Sequence, residues 1–190
     1  EIDLKTLTFS ENKISKELPK KNTIITFNEA KKITHDLVDE SINSRSISDV
    51  PIGTFLSGGV DSSIVSLCLS KDRATAIDTF SIGFQNKLFD ETDSSRLVAK
   101  QIKSNHHEFI VNSKSMEEDI DRVILNYDEP FADSSAIPSY LLSKITSDHV
   151  KVALTGEGAD EVFGGYLSHI YLAIKDMQDN KAENTKTINN

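Results

Sequence analysis

Two short segments concentrate the residue types that could do chemistry. "LSGGVDSS", Leu56–Ser63, places two glycines, an aspartate and three serines between apolar runs, and "LTGEGADEVFGGY", Leu154–Tyr166, places three acids and four glycines behind another apolar run. In the first, Gly58 and Gly59 would let backbone approach an anion closely, and the hydroxyls of Ser57, Ser62 and Ser63 could add donors. A helix opening at Asp61 would add free N–H groups and a partial positive charge. An ordinary glycine turn capped by Asp or Ser has the same composition, so the bare motif leaves both readings open. The segment has no lysine of the G-x-x-x-x-G-K-S/T type to grip a terminal phosphate, and it is not G-x-G-x-x-G. Asp61 would repel a bare phosphate; it makes more sense as a ligand for Mg2+ bridging to phosphate oxygens. In the second segment Glu157, Asp160 and Glu161 suit a metal or general-base site, or equally a solvated acidic helix start.

Both segments follow predicted strands. "VPIGTFL" predicts a short buried strand before the first and "VKVALT", residues 150–155, a strand before the second. Between them the pattern alternates. "DSSIVSLCLSKD" reads as a helix, residues 76–84 as a strand, and 90–105 as a helix capped by Asp90. Residues 106–111 read as a strand, with helices at "SMEEDIDRVILNY" and "SSAIPSYLLSKITSD". Upstream, "NEAKKITHDLVDESINSRS" predicts a helix capped by Asn28, with Ala30, Ile33, Leu37, Val38 and Ile42 near one face, and "TIITF" at 23–27 a short strand. Strands alternating with helices of this length imply right-handed crossovers and an open, doubly wound, mostly parallel sheet with helices on both faces. Ligands bind such folds outside the carboxyl ends of the strands, where the strand order reverses. The expected organisation is a lead-in at 1–27, a domain at 28–175 and a polar, disordered tail at 176–190.

Composition narrows the partners. Thirty Asp and Glu against 21 Lys and Arg give a net charge of −9, which argues against non-specific binding to nucleic acid or anionic membrane. No apolar run approaches the ~20 residues of a membrane span and no signal-peptide pattern opens the chain, so a cytoplasmic protein is expected. The single cysteine, Cys68, lies in "IVSLCLS" and reads as a small buried side chain. His106 and His107, adjacent in a strand, should face opposite ways and serve structure. "DEPFADSS" is too polar for core and reads either as a substrate-facing loop or as a solvated loop with helix caps.

"LSGGVDSS" resembles the pyrophosphatase loop of enzymes that split ATP between its α- and β-phosphates. "LTGEGADEVFGGY", together with "FSIGF" and "FDE" within 80–91 and "DEPFADSSAIPSYLLS" at 128–143, resembles in order the synthetase domain of glutamine-dependent asparagine synthetases over roughly residues 27 to 172. The resemblance implies an adenine nucleotide alpha-hydrolase-like fold. It further implies that Ser57, Gly58, Gly59, Asp61, Ser62 and Ser63 hold the pyrophosphate portion of ATP, and that Leu56, Ile82 and Gly156 line the adenosine site. By the same resemblance Asp61 and Asp160 engage Mg2+, and Glu157 serves proton transfer when ammonia attacks an activated aspartate.

The family's N-terminal glutaminase domain, with its ammonia-releasing cysteine, has no counterpart in these residues, and the family's synthetase half extends well past Tyr166. The resemblance therefore implies part of a longer enzyme, not expected to turn over alone, and leaves a homodimer open. Related ligases with another acceptor, β-lactam-forming or acting in polysaccharide amidation, fit the same loop. A nucleotide-binding module without catalysis fits less well, because binding alone would not need an acid placed for proton transfer.

Overall fold

The computed structural model describes residues 2–3, 8–9, 25–71, 73–129 and 132–188. The chain divides into two compact units, Glu1–Asp36 and Leu37–Asn190, so the boundary falls inside the first long helix rather than ahead of it. The first unit carries a two-residue antiparallel ladder, β1 (Ile2–Asp3) with β2 (Thr8–Phe9), and the start of α1 (Phe27–Arg45). The helix starts one residue before the expected cap, Asn28. Thr26 and Glu29 form a reciprocal pair instead: Glu29 N donates to Thr26 Oγ1 at 3.3 Å and Thr26 N donates to Glu29 Oε2 at 2.8 Å. Two exchanged hydrogen bonds outweigh the one Asn28 could offer. Of the strand expected at 23–27, Ile25 and Thr26 lead directly into the helix and Phe27 opens it, while the first two residues lie outside the described ones.

The second unit is an α/β fold with a four-stranded parallel sheet. In chain order it runs β3 (Ile52–Phe55), α2 (Val60–Ser70), β4 (Asp78–Phe84), α3 (Thr92–Ile102), β5 (Asn105–Val111), α4 (Ser113–Leu125), α5 (Ala136–Thr146), β6 (Val152–Leu154), α6 (Ala159–Phe163) and α7 (Leu167–Ile188). The spatial order is β5-β4-β3-β6. The chain thus steps outward from β3 through α2 and α3, then returns across the sheet through α4 and α5 to place β6 on the free side of β3. The reversal lies between β3 and β6, whose registers pair Ile52 with Val152 and Thr54 with Leu154.

Alternation along the strands sorts side chains to the two faces. Ile42, Ile52, Cys68, Leu69 and Ile77 form one core cluster, on the side of α2, while Phe80, Leu142 and Val150 form another with Phe55, Ile82 and Phe109, on the side of α5. Cys68 is buried, as its apolar run predicts. His106 reaches Thr79 Oγ1 at 2.9 Å on one face, and on the other His107 stacks on Phe80 at 4.9 Å and contacts Asp78 at 2.9 Å. Hydroxyl pairs fasten elements where apolar packing gives out, as in the fully buried Thr54–Ser66 contact of 2.7 Å between β3 and α2. Charged clips on half-exposed surface add less, as where Arg96 holds Glu108 through two 2.7 Å bonds that water screens.

Two further expectations meet a different outcome. Asp90 caps α3 from one residue further out than a standard N-cap: the helix begins at Thr92 with Glu91 at its N-cap, and the Asp90 carboxylate accepts from Thr92 N and from Phe84 N, both at 3.4 Å. It thereby ties the end of β4 to the start of α3. The tail expected to be disordered from 176 is instead helical through Ile188. Lys, Glu, Gln, Met and Ala favour helix, and extending a helix already nucleated over "LSHIYLAIK" is far cheaper than starting one. No helix among the described residues is long and apolar enough to cross a membrane.

Two predictions arise from the turns that carry the site. Gly58 has φ +88°, and a Cβ there would lie 2.6 Å from the backbone of Ser94 and Ser95. Gly58→Ala should therefore destabilise by about 2 kcal/mol or more in denaturant titration, from left-handed strain plus the clash. The Lys87 ammonium, aided by Thr92, holds Asp90 down at about 2. A depressed carboxylate contributes stability that is complete above its unfolded value, near 3.8, and is lost as pH falls toward 2. Asp90→Asn should lower the melting temperature at pH 7, with the difference from wild type closing between pH 4 and pH 2.

Candidate active site

The two glycine-rich segments meet at the topological switch point. The loop Leu56–Gly59 leaves β3 and enters α2; the loop Thr155–Gly158 leaves β6 and enters α6. Their separation is set by Gly156: a Cβ there would lie 2.9 Å from Ser62 N and 3.0 Å from Asp61 Cβ. Only a residue without a side chain lets the second loop lie against the first turn of α2.

The first loop is tied by its own hydroxyls. Ser57 Oγ and Ser62 Oγ lie 3.0 Å apart, Gly59 N donates to Ser57 Oγ at 3.2 Å, and Ser62 Oγ donates to Gly59 O at 3.3 Å. Helical bonding starts when Ser63 N donates to Gly59 O at 3.1 Å, so the N–H groups of residues 60–62 come before the ladder. The N-cap, Gly59, offers no side-chain acceptor to them. The positive end of α2 thus faces outward uncapped, the arrangement that receives an anion.

These loops border a cleft of about 520 Å³. Of the residues singled out in sequence, Leu56, Ser57, Gly59, Asp61, Ser62, Ile82, Gly156, Glu157 and Asp160 all line it. Gly58 and Ser63 do not. Gly58 turns inward against Ser94 and Ser95, and Ser63 contributes its amide to the helix. Glu161 also stands outside, where its carboxylate accepts from the Tyr166 hydroxyl at 2.7 Å. That bond holds Glu161 below the usual carboxylate range and pushes the Tyr166 phenol up to about 12. Tyr166 itself lines the cleft.

The sequence reading missed the apolar half. Phe55, Phe80, Phe84, Phe89 and Leu142 join Ile82 along one side, and Ser81, Ser95 and Glu91 are also at the wall. Phe84 and Phe89 sit within the "FSIGF" to "FDE" segment already quoted, and their aromatic character was the available signal. Leu142 arrives from α5 through tertiary packing and carried no local signal.

The charge balance of this cleft is one-sided. Its lining holds Asp61, Glu91, Glu157 and Asp160, and among the described residues no Lys, Arg or His. Carboxylates in this number disfavour a bare phosphate and favour one that brings a divalent cation. Two carboxylates beside a phosphate position match how Mg2+ is usually held, with one or two protein carboxylates and substrate oxygens, so Asp61 and Asp160 fit that ion. The described residues contain no cluster of three or more His, Cys, Asp or Glu that would hold a metal without substrate.

Comparison with known proteins identifies the family of the chain. The family model described as asparagine synthase matches residues 34–187. A Methanocaldococcus jannaschii protein provisionally named asparagine synthetase (glutamine-hydrolyzing) 2 is 42% identical over 143 residues, covering 75% of this chain and 27% of that one. Asparagine synthetase (glutamine-hydrolyzing) 1 of Bacillus subtilis is 38% identical over 135 residues, covering 71% and 21%. Among solved structures, the NH3-dependent NAD synthetase of Campylobacter jejuni aligns with a TM-score of 0.46 at 16% identity, over 75% of this chain and 61% of that chain. The chain spans about a quarter or less of the length of the two synthetases. On the extent of the family match, together with glycine loops and acids gathered at one switch point, the chain belongs to the asparagine synthase family.

Proposed function

We propose that this chain is the nucleotide-binding part of an ATP-dependent carbon–nitrogen ligase that makes asparagine from aspartate. The observation that carries the reading is the two-sided cleft: aromatic and aliphatic along β4, with uncapped helix amides and carboxylates where β3 and β6 end. A purine nucleoside suits the first side, and polyphosphate with a divalent ion suits the second.

In this reading the adenosine lies over Leu56, Ile82 and Gly156. The amides at the start of α2, with the hydroxyls of Ser57 and Ser62, receive the β- and γ-phosphates; Gly58 and Ser63 support that loop from behind. An oxygen of the aspartate side-chain carboxylate attacks the α-phosphorus, the bond from that phosphorus to the bridging oxygen breaks, and pyrophosphate leaves with the electron pair. Mg2+, held by Asp61 and Asp160, would neutralise charge on the departing pyrophosphate. Ammonia then attacks the acyl carbon and the bond to AMP breaks. The nitrogen must lose one proton to give the neutral amide. Glu157 is the proposed acceptor, an exposed carboxylate at the cleft wall whose amide is braced by Thr155 Oγ1 at 3.3 Å. The protein's work is placement and charge compensation, more than covalent chemistry. Ammonia would come from a glutaminase domain, consistent with the glutamine-hydrolyzing names of the relatives.

The reading is tested by ATP–pyrophosphate exchange in the gene product that carries this chain. Exchange should require aspartate; exchange that proceeds equally with other carboxylic acids, or without any, would assign a different acceptor. Asp61→Ala should reduce exchange by roughly a hundredfold or more while the melting temperature stays within a few degrees. Unfolding of that variant would return Asp61 to a structural role.

Glu157→Gln separates the two half-reactions. Exchange should persist near the wild-type rate while asparagine formation falls by roughly a hundredfold or more. Equal loss of both would place Glu157 in adenylation instead.

A further inference from the structure

Asp160 stands on a helix too short to aim it. α6 has five residues, Ala159–Phe163, and is flanked by glycines in the left-handed region, Gly158 with φ +87° and Gly164 with φ +74°. Among the described residues no hydrogen bond holds the Asp160 carboxylate. Its backbone is tied instead: Asp160 O accepts from Gly164 N at 2.9 Å and from Gly165 N at 3.0 Å. Beside these, the Tyr166 hydroxyl donates to Glu161 Oε1 at 2.7 Å. The chain leaving α6 is thus folded back on the first turn of the helix and fixed at Gly164, Gly165 and Tyr166.

The two glycines of this turn are needed for different reasons. Gly164 serves by its left-handed backbone, and a Cβ there would meet nothing nearer than His169, at 3.9 Å. Gly165 is not among the residues with positive φ, so its backbone would accept a side chain. What it lacks is room. A Cβ at 165 would overlap Asp160 Oδ1 and lie 2.8 Å from Asp160 Cγ. The carboxylate occupies the space that a side chain at 165 would fill, and Asp160 lines the cleft.

The bonds around the turn decide which side would give way. Backbone hydrogen bonds and the Tyr166 hydroxyl hold the turn, and none holds the carboxylate, so a methyl group at 165 would rotate the carboxylate rather than displace the chain. Gly58 and Gly156 differ in this respect, because a Cβ at either would meet backbone atoms of another segment. We propose that Gly165 is a positioning residue: its missing side chain leaves room for the orientation in which the Asp160 carboxylate, with Asp61, holds the divalent cation that accompanies the nucleotide. The inference deepens the nucleotide reading and rests on its assignment of Asp160 to Mg2+.

Equilibrium binding of Mg–ATP tests it in the protein that carries this chain, compared among wild type, Gly165→Ala, Asp160→Ala and the double variant. Gly165→Ala should melt within a few degrees of wild type and bind Mg–ATP roughly tenfold more weakly, the usual consequence of misdirecting a metal ligand. Asp160→Ala should weaken binding at least as much. Adding Gly165→Ala to it should then change the affinity by less than about twofold, because the carboxylate on which Gly165 acts is gone. A further loss of similar size in the Asp160→Ala background would show that the glycine serves the loop as a whole, and would overturn the inference. A Gly165→Ala variant that binds like wild type, or that unfolds, would overturn it too. Failure of the underlying reading has its own signature: Asp160→Ala would bind Mg–ATP like wild type, or the wild-type protein would show no saturable binding, and the inference would fall with it.

Discussion

The contact on which the site depends is the approach of the Thr155–Gly158 loop to the first turn of α2. It requires β6 to lie directly beside β3, which the returning crossover through α4 and α5 provides, and it requires glycine at 156, because any Cβ would meet the backbone of Asp61 and Ser62. With both met, Asp61 from one loop and Glu157 and Asp160 from the other enter one cleft. These acids are nearly a hundred residues apart in sequence, and it is the topology that joins them. The rest of the unit, with two apolar clusters on opposite faces and buried hydroxyl pairs such as Thr54–Ser66, keeps the strands in the register that makes this possible.

Electrostatics then determine what the site can accept. A helix start with uncapped amides attracts anions, yet the surrounding carboxylates repel them, and the acidic chain as a whole supplies no compensating field. In the proposed reaction a ligand that carries its own divalent cation would resolve the opposition, and release of its pyrophosphate portion would use the same charges. The aromatic side along β4 adds what phosphate chemistry alone would not call for, a surface for a flat base.

Much of this was legible before any coordinates. The four core strands and their helices follow from apolar runs punctuated by glycine and acidic helix starts, and the strand-end position of "SGGVDSS" pointed to a loop that borders the cleft. What escaped depended on partners distant in sequence or on competition between neighbours. Asn28 is a good N-cap in isolation, but Thr26 and Glu29 cap each other. Residues beyond 175 have no apolar stripe, yet they extend a helix that begins at Leu167. Leu142 reaches the cleft from α5, and His106, correctly read as one of two histidines on opposite faces, showed its hydroxyl partners only once β4, β5 and α3 were packed together.

The central claim is that both loops at the switch point contact one nucleotide. Backbone amide NMR during titration with Mg–ATP tests it directly. The amides of Gly58–Ser62 and of Thr155–Gly158 should shift together along one binding curve, with those at the end of β4 following. Shifts confined to other surfaces, or two loops responding with different affinities, would contradict it.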